Sequence, residues 1–413
     1  MTTHAIPVAV FLLLSAALSA IAEPCESPQF KAALAKVKAQ QAQLLAYKLH
    51  DDMDESVPTP LQEQIRNFKD ALAELGDAAA ACTSPGDDAE SIESELAGQL
   101  EANKPATQEV YDDKKPPQLD HIYGDAIRVK VTEPEQPQHL LLIELGFGIA
   151  CGNDAILLAY EGGNGRWRRV LRWQSSDYSE VKDAFGDFFT YTPVPQAGGS
   201  WLLAAAHGSP WCTSRWSGFG LDVIQPATAK APQKTLQHIE HGYVRGEVEP
   251  VLKQVPGGFQ LKVETGMIDM DVMTRTGVFR YRVNNGQIER VQPIANNGRD
   301  FVDEWLQAPW TDAARWSMPG TLTALQEVHA RVGEKRYDKG SPTYTFGPVR
   351  SCSDSAAHFQ VELDADWTNE KGNSKPAPTT YFLIEQGMNS FTMLSAASTP
   401  DPKCNGADIM RAR

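Results

Sequence analysis

One pattern recurs along the chain from Gly124 onward: four short strand-like runs, separated by turns rich in Gly, Pro and Asn. The second runs of three successive units read HLLLIEL, WLLAAAH and FQLKVET, and each is followed by a glycine: Gly146, Gly208 and Gly266. A degenerate fourth unit follows residue 340. Four strands in tandem predict repeated antiparallel meanders in a β-propeller-like, mainly β fold. A β-sandwich with a small C-terminal α+β domain is the alternative.

An acidic segment with helical spacing, residues 23–102, precedes the repeats. Its central helix is predicted by apolar residues spaced four and three apart in a heptad seam: Leu61, Ile65, Phe68, Leu72 and Leu75. Weaker helical patterns precede and follow it, so we expect an N-terminal helical hairpin and a third, shorter helix. We interpret the hairpin as a solvated spacer or a stalk for homo-oligomerisation, and a dedicated recognition helix is the alternative. Residues 103–118, rich in Pro, Lys and Asp, are typical of a linker.

The remaining chain changes pattern once more. The three repeat units predict a β-rich domain over residues 119–298, and the degenerate unit predicts a C-terminal β-rich unit over residues 336–413. Residues 299–335, between them, have helical spacing. This helical segment carries three tryptophans that we expect to pack it onto a sheet: Trp305, Trp310 and Trp316.

Residues 1–22 are typical of a secretory signal peptide. A short apolar run from Ile6 to Leu18 is followed by Ala20-Ile21-Ala22, the small-x-small arrangement of a cleavage site. We therefore expect a secreted or periplasmic protein. No later segment has the roughly 18 consecutive apolar residues of a membrane span.

The six cysteines support an exported chain with three disulfides. Cys25 and Cys82 flank the helical hairpin, so its open end would bring them together. Cys151 and Cys212 occupy equivalent loops of consecutive repeats, which are neighbours in a stacked or radial arrangement. Cys352 and Cys404 bracket the last unit. We therefore predict that cysteines adjacent in sequence pair with each other.

Charge and motifs exclude several classes of function. The net charge of −15 disfavours nucleic acid and anionic membranes as partners. The sequence lacks G-x-S-x-G, H-E-x-x-H and P-loop motifs. The glycines of GFGIACG, residues 146–152, are not spaced for dinucleotide binding and predict a turn, so we assign no cofactor. In HIEH, His238 and His241 would lie on opposite faces of a strand, which disfavours a shared metal. In MIDMDVM, Met273 stands where a calcium loop would continue with an oxygen ligand, so we assign no metal site.

The stretch LLAAAHGSPWCTSRWSGFGLDV, residues 202–223, contains the residue types of a catalytic triad. His207, Ser209, Ser214 and Asp222 are the candidates. A triad needs a carboxylate that orients the base and a base that contacts the nucleophile, and the spacing shows neither relation. We therefore assign no catalytic residue, and we interpret the stretch as a loop between strands, closed by a disulfide.

The loops that follow the second strands are the predicted binding surface. In repeated meanders these loops emerge on one face of a rigid scaffold, where binding residues are commonly carried. The predicted contact surface consists of Trp211, Arg215, Trp216, Asp269, Asp271 and Arg275. We predict a non-catalytic binding or protein-interaction module whose ligand is a protein or a carbohydrate. An extracellular hydrolase acting on a polymer and a structural envelope protein are the alternatives.

Overall fold

A computed structural model describes residues 25–410, apart from residues 48–55, 103–122, 211–213, 246–248, 285, 292–294, 296, 335–341, 369–373 and 389. The predicted signal peptide and the predicted linker lie outside the described residues, as do Trp211 and Cys212. Among the described residues, no helix has both the length and the apolar character needed to cross a membrane.

The N-terminal region is helical, with α1 (Pro28–Leu45), α2 (Thr59–Cys82) and α3 (Ala89–Leu100). The predicted disulfide Cys25–Cys82 is confirmed, and it joins the start of α1 to the end of α2. The two helices therefore run antiparallel, as a hairpin requires. The heptad seam of α2 is 0–2% exposed, because it packs into a shared core with the adjoining sheet.

In the part of the chain that the structure describes, sixteen strands follow, arranged as four four-stranded antiparallel sheets in which strands adjacent in sequence are paired. Sheet 1 consists of β1 (Arg128–Thr132), β2 (Leu140–Ile149), β3 (Gly152–Gly163) and β4 (Arg166–Gln174). Sheet 2 consists of β5 (Phe189–Pro195), β6 (Trp201–Gly208), β7 (Trp216–Gln225) and β8 (Lys234–Val244). Sheet 3 consists of β9 (Val251–Val255), β10 (Gly258–Gly266), β11 (Thr274–Asn284) and β12 (Gln287–Arg290). Sheet 4 consists of β13 (Thr343–Ser351), β14 (His358–Thr368), β15 (Ser374–Gln386) and β16 (Phe391–Ala397). The predicted fold class, repeated four-stranded meanders after a helical hairpin, is confirmed.

The layers follow from the alternation of side chains along the strands. In β2, Leu141 and Ile143 belong to the core shared with the helices. Leu140 and Leu142, one residue out of phase, belong to a second core shared with sheet 2. The opposite face of sheet 2 shares a third core with sheet 3. Helices and sheets 1 to 3 thus form consecutive layers, and the hairpin covers a sheet face instead of standing free as a spacer.

A buried ion pair fixes α2 to sheet 1. Lys69 on α2 and Asp154 on β3 are 1% and 0% exposed, and the Lys69 Nζ lies 3.2 Å from the Asp154 Oδ2. The same Nζ donates to the Oγ and the carbonyl of Ser175, at 2.8 and 3.1 Å. Gly76 allows α2 to pack closely against β3, because a Cβ at this position would lie only 2.4 Å from the Leu158 Cδ1.

The C-terminal helices pack onto sheet 4, as their tryptophans predict. Helix α4 (Gly298–Gln307) is followed by α5 (Trp310–Ala313) and α6 (Leu322–Val328). The Trp305 indole is fully buried, meets the Phe382 ring edge-on and donates its Nε1–H to the Ser317 Oγ at 2.9 Å. The disulfide Cys352–Cys404, also predicted, joins the residue that follows β13 to the segment that follows β16.

One expected turn is a strand. The glycines of GFGIACG predict a turn from Gly146 to Gly152, but β2 continues through Ile149. The reason is that Phe147 and Ile149 extend the alternating apolar face and are 0% and 2% exposed in the core beneath the helices. The turn itself is confined to Ala150 and Cys151, and Cys151 has a left-handed φ of 60°.

Candidate functional site

The loops after the second strands of the first three sheets are neighbours in space. A Cβ at Gly152, where the first loop ends and β3 begins, would lie 2.9 Å from the Pro210 Cβ in the second loop. A Cβ at Gly266, where β10 ends, would lie 3.0 Å from the Trp216 indole Cζ3, where β7 begins. These contacts bring the three loops to one end of the sheets. We call this end the loop face.

Two of the predicted contact residues are exposed side by side at the start of β7. Trp216 is 40% exposed, and Arg215 is exposed as well. The backbone beneath them is fixed: the Trp216 N–H donates to the Ser214 Oγ at 3.0 Å, and the Arg215 carbonyl accepts from the Arg245 N–H at 2.7 Å. The indole is therefore presented to solvent from an ordered backbone.

Asp269 and Asp271 lie on the loop between β10 and β11 and have different roles. Asp271 is exposed, whereas Asp269 is 1% exposed. The Asp269 carboxylate accepts from the N–H groups of Asp271 at 2.8 Å and Val272 at 3.2 Å, and from the Phe346 N–H at 2.9 Å. Asp269 therefore folds its own loop and fastens it to sheet 4, and its side chain is committed to internal contacts.

Arg275 is also committed to internal contacts, since its side chain is 6% exposed and pairs with Asp303 and Glu304 of α4. Arg290 pairs with the same Glu304. Burial raises the pKa of Glu304, but the two guanidinium groups outweigh that effect and lower the pKa to about 2. This buried cluster joins sheet 3 to α4, so Arg275 lies behind the loop face and not on it.

The loop face also carries apolar residues that sequence reasoning missed. Met270, Val272 and Met273 are 57%, 47% and 43% exposed, and all lie on the loop that Asp269 organises. The Met273 carbonyl accepts from the Met267 N–H at 2.8 Å, directly beside Gly266 and the Trp216 indole. We call Trp216, Met270, Val272 and Met273 the loop-face patch. The signal in the sequence is MIDMDVM, in which apolar residues stand before and after each carboxylate.

A polar cluster lies on sheet 2, away from this patch. Asp222 on β7 accepts from the Trp173 Nε1–H at 2.9 Å and lies 2.7 Å from the His238 Nδ1 on β8. Burial lowers the pKa of His238, but hydrogen bonds to Asp222 and Glu240 outweigh it and raise the pKa. The His238 Nε2 lies 3.3 Å from the Glu240 Oε1. The Asp222 carboxylate thus holds both His238 and Trp173.

The histidine of the polar stretch, His207, is a core residue. It is 7% exposed, and its ring stacks on Phe185 with centroids 3.7 Å apart. Neither ring nitrogen has a hydrogen-bond partner in the part of the chain that the structure describes. Burial lowers the pKa of His207 to about 3, so the ring is neutral at physiological pH.

The structure separates the residues that resemble a triad. Asp222 is occupied by His238 and Trp173, His207 packs among aromatic rings, and the Ser214 Oγ accepts from the Trp216 N–H. Within the described ranges, no group of three or more His, Cys, Asp or Glu is placed to hold a metal ion.

Cys151 is disulfide-bonded. Its predicted partner, Cys212, lies outside the described residues, and so does Trp211. The Cys151–Cys212 bond and the contact role of Trp211 therefore stay predictions.

Comparisons with known proteins do not identify a family for this chain. No protein-family model matches the chain, and no curated protein matches it. One matching solved structure is the α-L-arabinofuranosidase Arb93A from Fusarium graminearum in complex with an iminosugar inhibitor, with 9% identity and a TM-score of 0.24. The match covers 66% of this chain and 65% of that one. A TM-score this low supports no conclusion about the fold or activity of this chain.

Proposed function

We propose that this protein is an exported, non-catalytic interaction module that binds an apolar segment of another protein through the loop-face patch. The observation that carries the proposal is the exposed indole of Trp216, held against Gly266 at the base of a loop that carries three exposed apolar side chains, Met270, Val272 and Met273. Contiguous exposed apolar side chains are unusual on a monomer and commonly mark interaction sites.

The composition of the patch favours a protein partner. Tryptophan, methionine and arginine are enriched at the cores of protein interfaces, and the loop face presents Trp216, two methionines and Arg215. Methionine side chains adapt to irregular apolar surfaces. Arg215 and Asp271, one cation and one anion, give the patch polar neighbours that can orient an apolar segment.

The setting of the patch favours tight binding. Trp216 begins a ten-residue strand inside a paired sheet, and the Asp269 carboxylate holds the methionine-bearing loop. Residues held in place before binding lose less conformational entropy when the partner docks. The two confirmed disulfides fit an oxidising compartment, which supports export.

The polar cluster of Asp222, His238 and Glu240 on sheet 2 supports a hydrolase less well than the loop-face patch supports an interaction module. General-base chemistry of the triad type requires a hydroxyl or thiol against the free nitrogen of the histidine. The His238 Nε2 is instead directed at the Glu240 carboxylate. Both ring nitrogens of His238 therefore face carboxylates, and neither is directed at a nucleophile.

The test replaces Trp216 by a photo-crosslinking phenylalanine in the exported protein, in its native host. A matched control places the same crosslinker at Trp367 on sheet 4, which is 44% exposed and lies outside the patch. We expect one protein adduct from position 216 and none from position 367. The partner protein, once identified from the adduct and purified on its own, should bind the Trp216→Ala variant roughly 30-fold more weakly than the wild type, as a hot-spot tryptophan implies. It should bind the Trp367→Ala variant as tightly as the wild type. Equal binding by wild type and Trp216→Ala would show that the patch is not the contact surface.

A further inference from the structure

A groove lies between sheets 2 and 3 at the end opposite the loop face. It has a volume of about 530 Å³, within the range of roughly 300–1,000 Å³ typical of ligand sites. The turns β5–β6, β9–β10 and β11–β12 form its walls, together with the ends of β7 and β8. Strand β6 runs from Trp201 in the groove to Gly208 at the loop face, so the two surfaces are separated by the length of the strand.

Among the described residues that line the groove, none has a charged side chain. Four carboxamides contribute to it, and each can both donate and accept hydrogen bonds: Gln196, Gln225, Gln254 and Asn284. The absence of charge in this lining disfavours ionic ligands, which need a compensating partner when they leave water. A hydroxyl group, which also donates and accepts, is the natural complement of a carboxamide.

The carboxamides are free to bind. Gln225, Gln254 and Asn284 are exposed, and their side chains make no hydrogen bond to other described residues. Gln196 uses its Nε2 to hold its own turn, donating to the Pro195 carbonyl at 2.9 Å, which leaves its Oε1 as an acceptor. A ligand can therefore bond to these groups without first breaking protein contacts.

The floor of the groove is apolar and rigid. Val194, Leu202 and Val283 line it, and the same residues belong to the core between sheets 2 and 3. Trp201 is 4% exposed and donates its Nε1–H to the Glu161 Oε1 at 3.0 Å. The start of β10 lies close against β11, because a Cβ at Gly258 would lie 1.9 Å from the Tyr281 carbonyl oxygen.

We infer that this groove binds a neutral, polyhydroxylated ligand, namely a segment of an uncharged oligosaccharide. Sugar rings present apolar C–H faces and hydroxyl edges, and the groove offers an apolar floor with a rim of carboxamides. This site is distinct from the loop-face patch and does not depend on the proposed protein interaction.

The experiment titrates the full-length mature protein by calorimetry with four neutral hexasaccharides: those of maltose, cellulose, xylan and mannan type. The hexamer of galacturonic acid serves as the anionic control. The variant is Gln254→Leu with Asn284→Leu, which changes two exposed side chains and leaves the floor intact. A matched control is Gln326→Leu, an exposed glutamine on α6 outside the groove.

We expect at least one neutral hexasaccharide to bind with a dissociation constant of about 1 mM or tighter, and the galacturonic acid hexamer not to bind. The double variant should weaken binding about tenfold or more, since it removes two ligand hydrogen bonds, while Gln326→Leu and Trp216→Ala should bind like wild type. The inference is overturned if no neutral hexasaccharide binds at about 10 mM, or if the double variant binds as well as wild type. Because Trp216→Ala tests the other site, the two proposals fail independently.

Discussion

Replacing Lys69 by Met tests whether the buried ion pair fixes the helical hairpin to sheet 1. Lys69 and Asp154 are almost fully buried, and removal of one partner leaves the other charge desolvated. Breaking a buried pair in this way commonly costs about 3–5 kcal/mol. Methionine has nearly the length of the lysine stem and fills the same space, so the loss comes mainly from the charge.

The structure places the expected cost at the lower end of that range. The Asp154 carboxylate would keep the Ala155 N–H at 2.9 Å, the Phe185 N–H at 3.2 Å and the Ser175 hydroxyl at 3.2 Å. These donors compensate part of the unpaired charge, so we expect a loss of about 3 kcal/mol in the free energy of opening of α2. Lys69→Met combined with Asp154→Asn removes both charges and should recover most of it.

The assay is hydrogen exchange read by mass spectrometry on peptides from residues 59–82, which report the opening of α2 directly. The matched control is Lys36→Met, because Lys36 pairs with Glu74 in a salt bridge whose side chains are 45% and 53% exposed. We expect this control to change the opening free energy by no more than about 1 kcal/mol. Equal protection in Lys69→Met and Lys36→Met would refute the anchoring role.

Three further predictions concern stability. Replacing Cys25 and Cys82 by Ser should lower the free energy of unfolding by about 4 kcal/mol, for a closed loop with a sequence separation of 57, as measured by urea unfolding. The folded-state pKa of His207, about 3, lies below its ordinary 6.5, so stability is lost as pH falls from 6.5 towards 3. At pH 5 the loss attributable to His207 is about 2 kcal/mol, and His207→Phe should abolish it; an unchanged pH profile would contradict the buried neutral ring. The pKa of Glu304 is lowered to about 2 from 4.5, so its contribution is present above pH 4.5 and lost as pH falls towards 2; Glu304→Gln should flatten the unfolding free energy across that window.

The fold could be predicted because its signals are local. Strand alternation, the heptad seam of α2 and the turn residues are each encoded within a few positions. The same locality explains the two confirmed disulfides, since hairpin and meander topology brings neighbouring cysteines together. The turn assigned to GFGIACG was wrong, because tertiary burial of Phe147 and Ile149 extends β2 past two glycines.

The buried charges could not be predicted, because their partners are distant in sequence. Lys69 and Asp154 are 85 residues apart, and a lysine on an acidic helix is indistinguishable by spacing from one facing solvent. Arg275 and Asp269 were assigned to the contact surface for the same reason: both are charged residues at a loop. The structure places one in an ion-pair cluster with α4 and the other inside its own turn.

The loop face carries two kinds of side chain, those committed to internal contacts and those exposed to solvent. Of the charged residues predicted there, Asp269 and Arg275 are satisfied by internal partners, so a ligand would have to break those contacts first. Trp216, Met270 and Met273 are apolar and exposed, so each gains from burial by a partner. The favourable change on binding therefore lies with the apolar residues. The carboxylates and the guanidinium behind them hold the loops in the conformation that presents these apolar side chains.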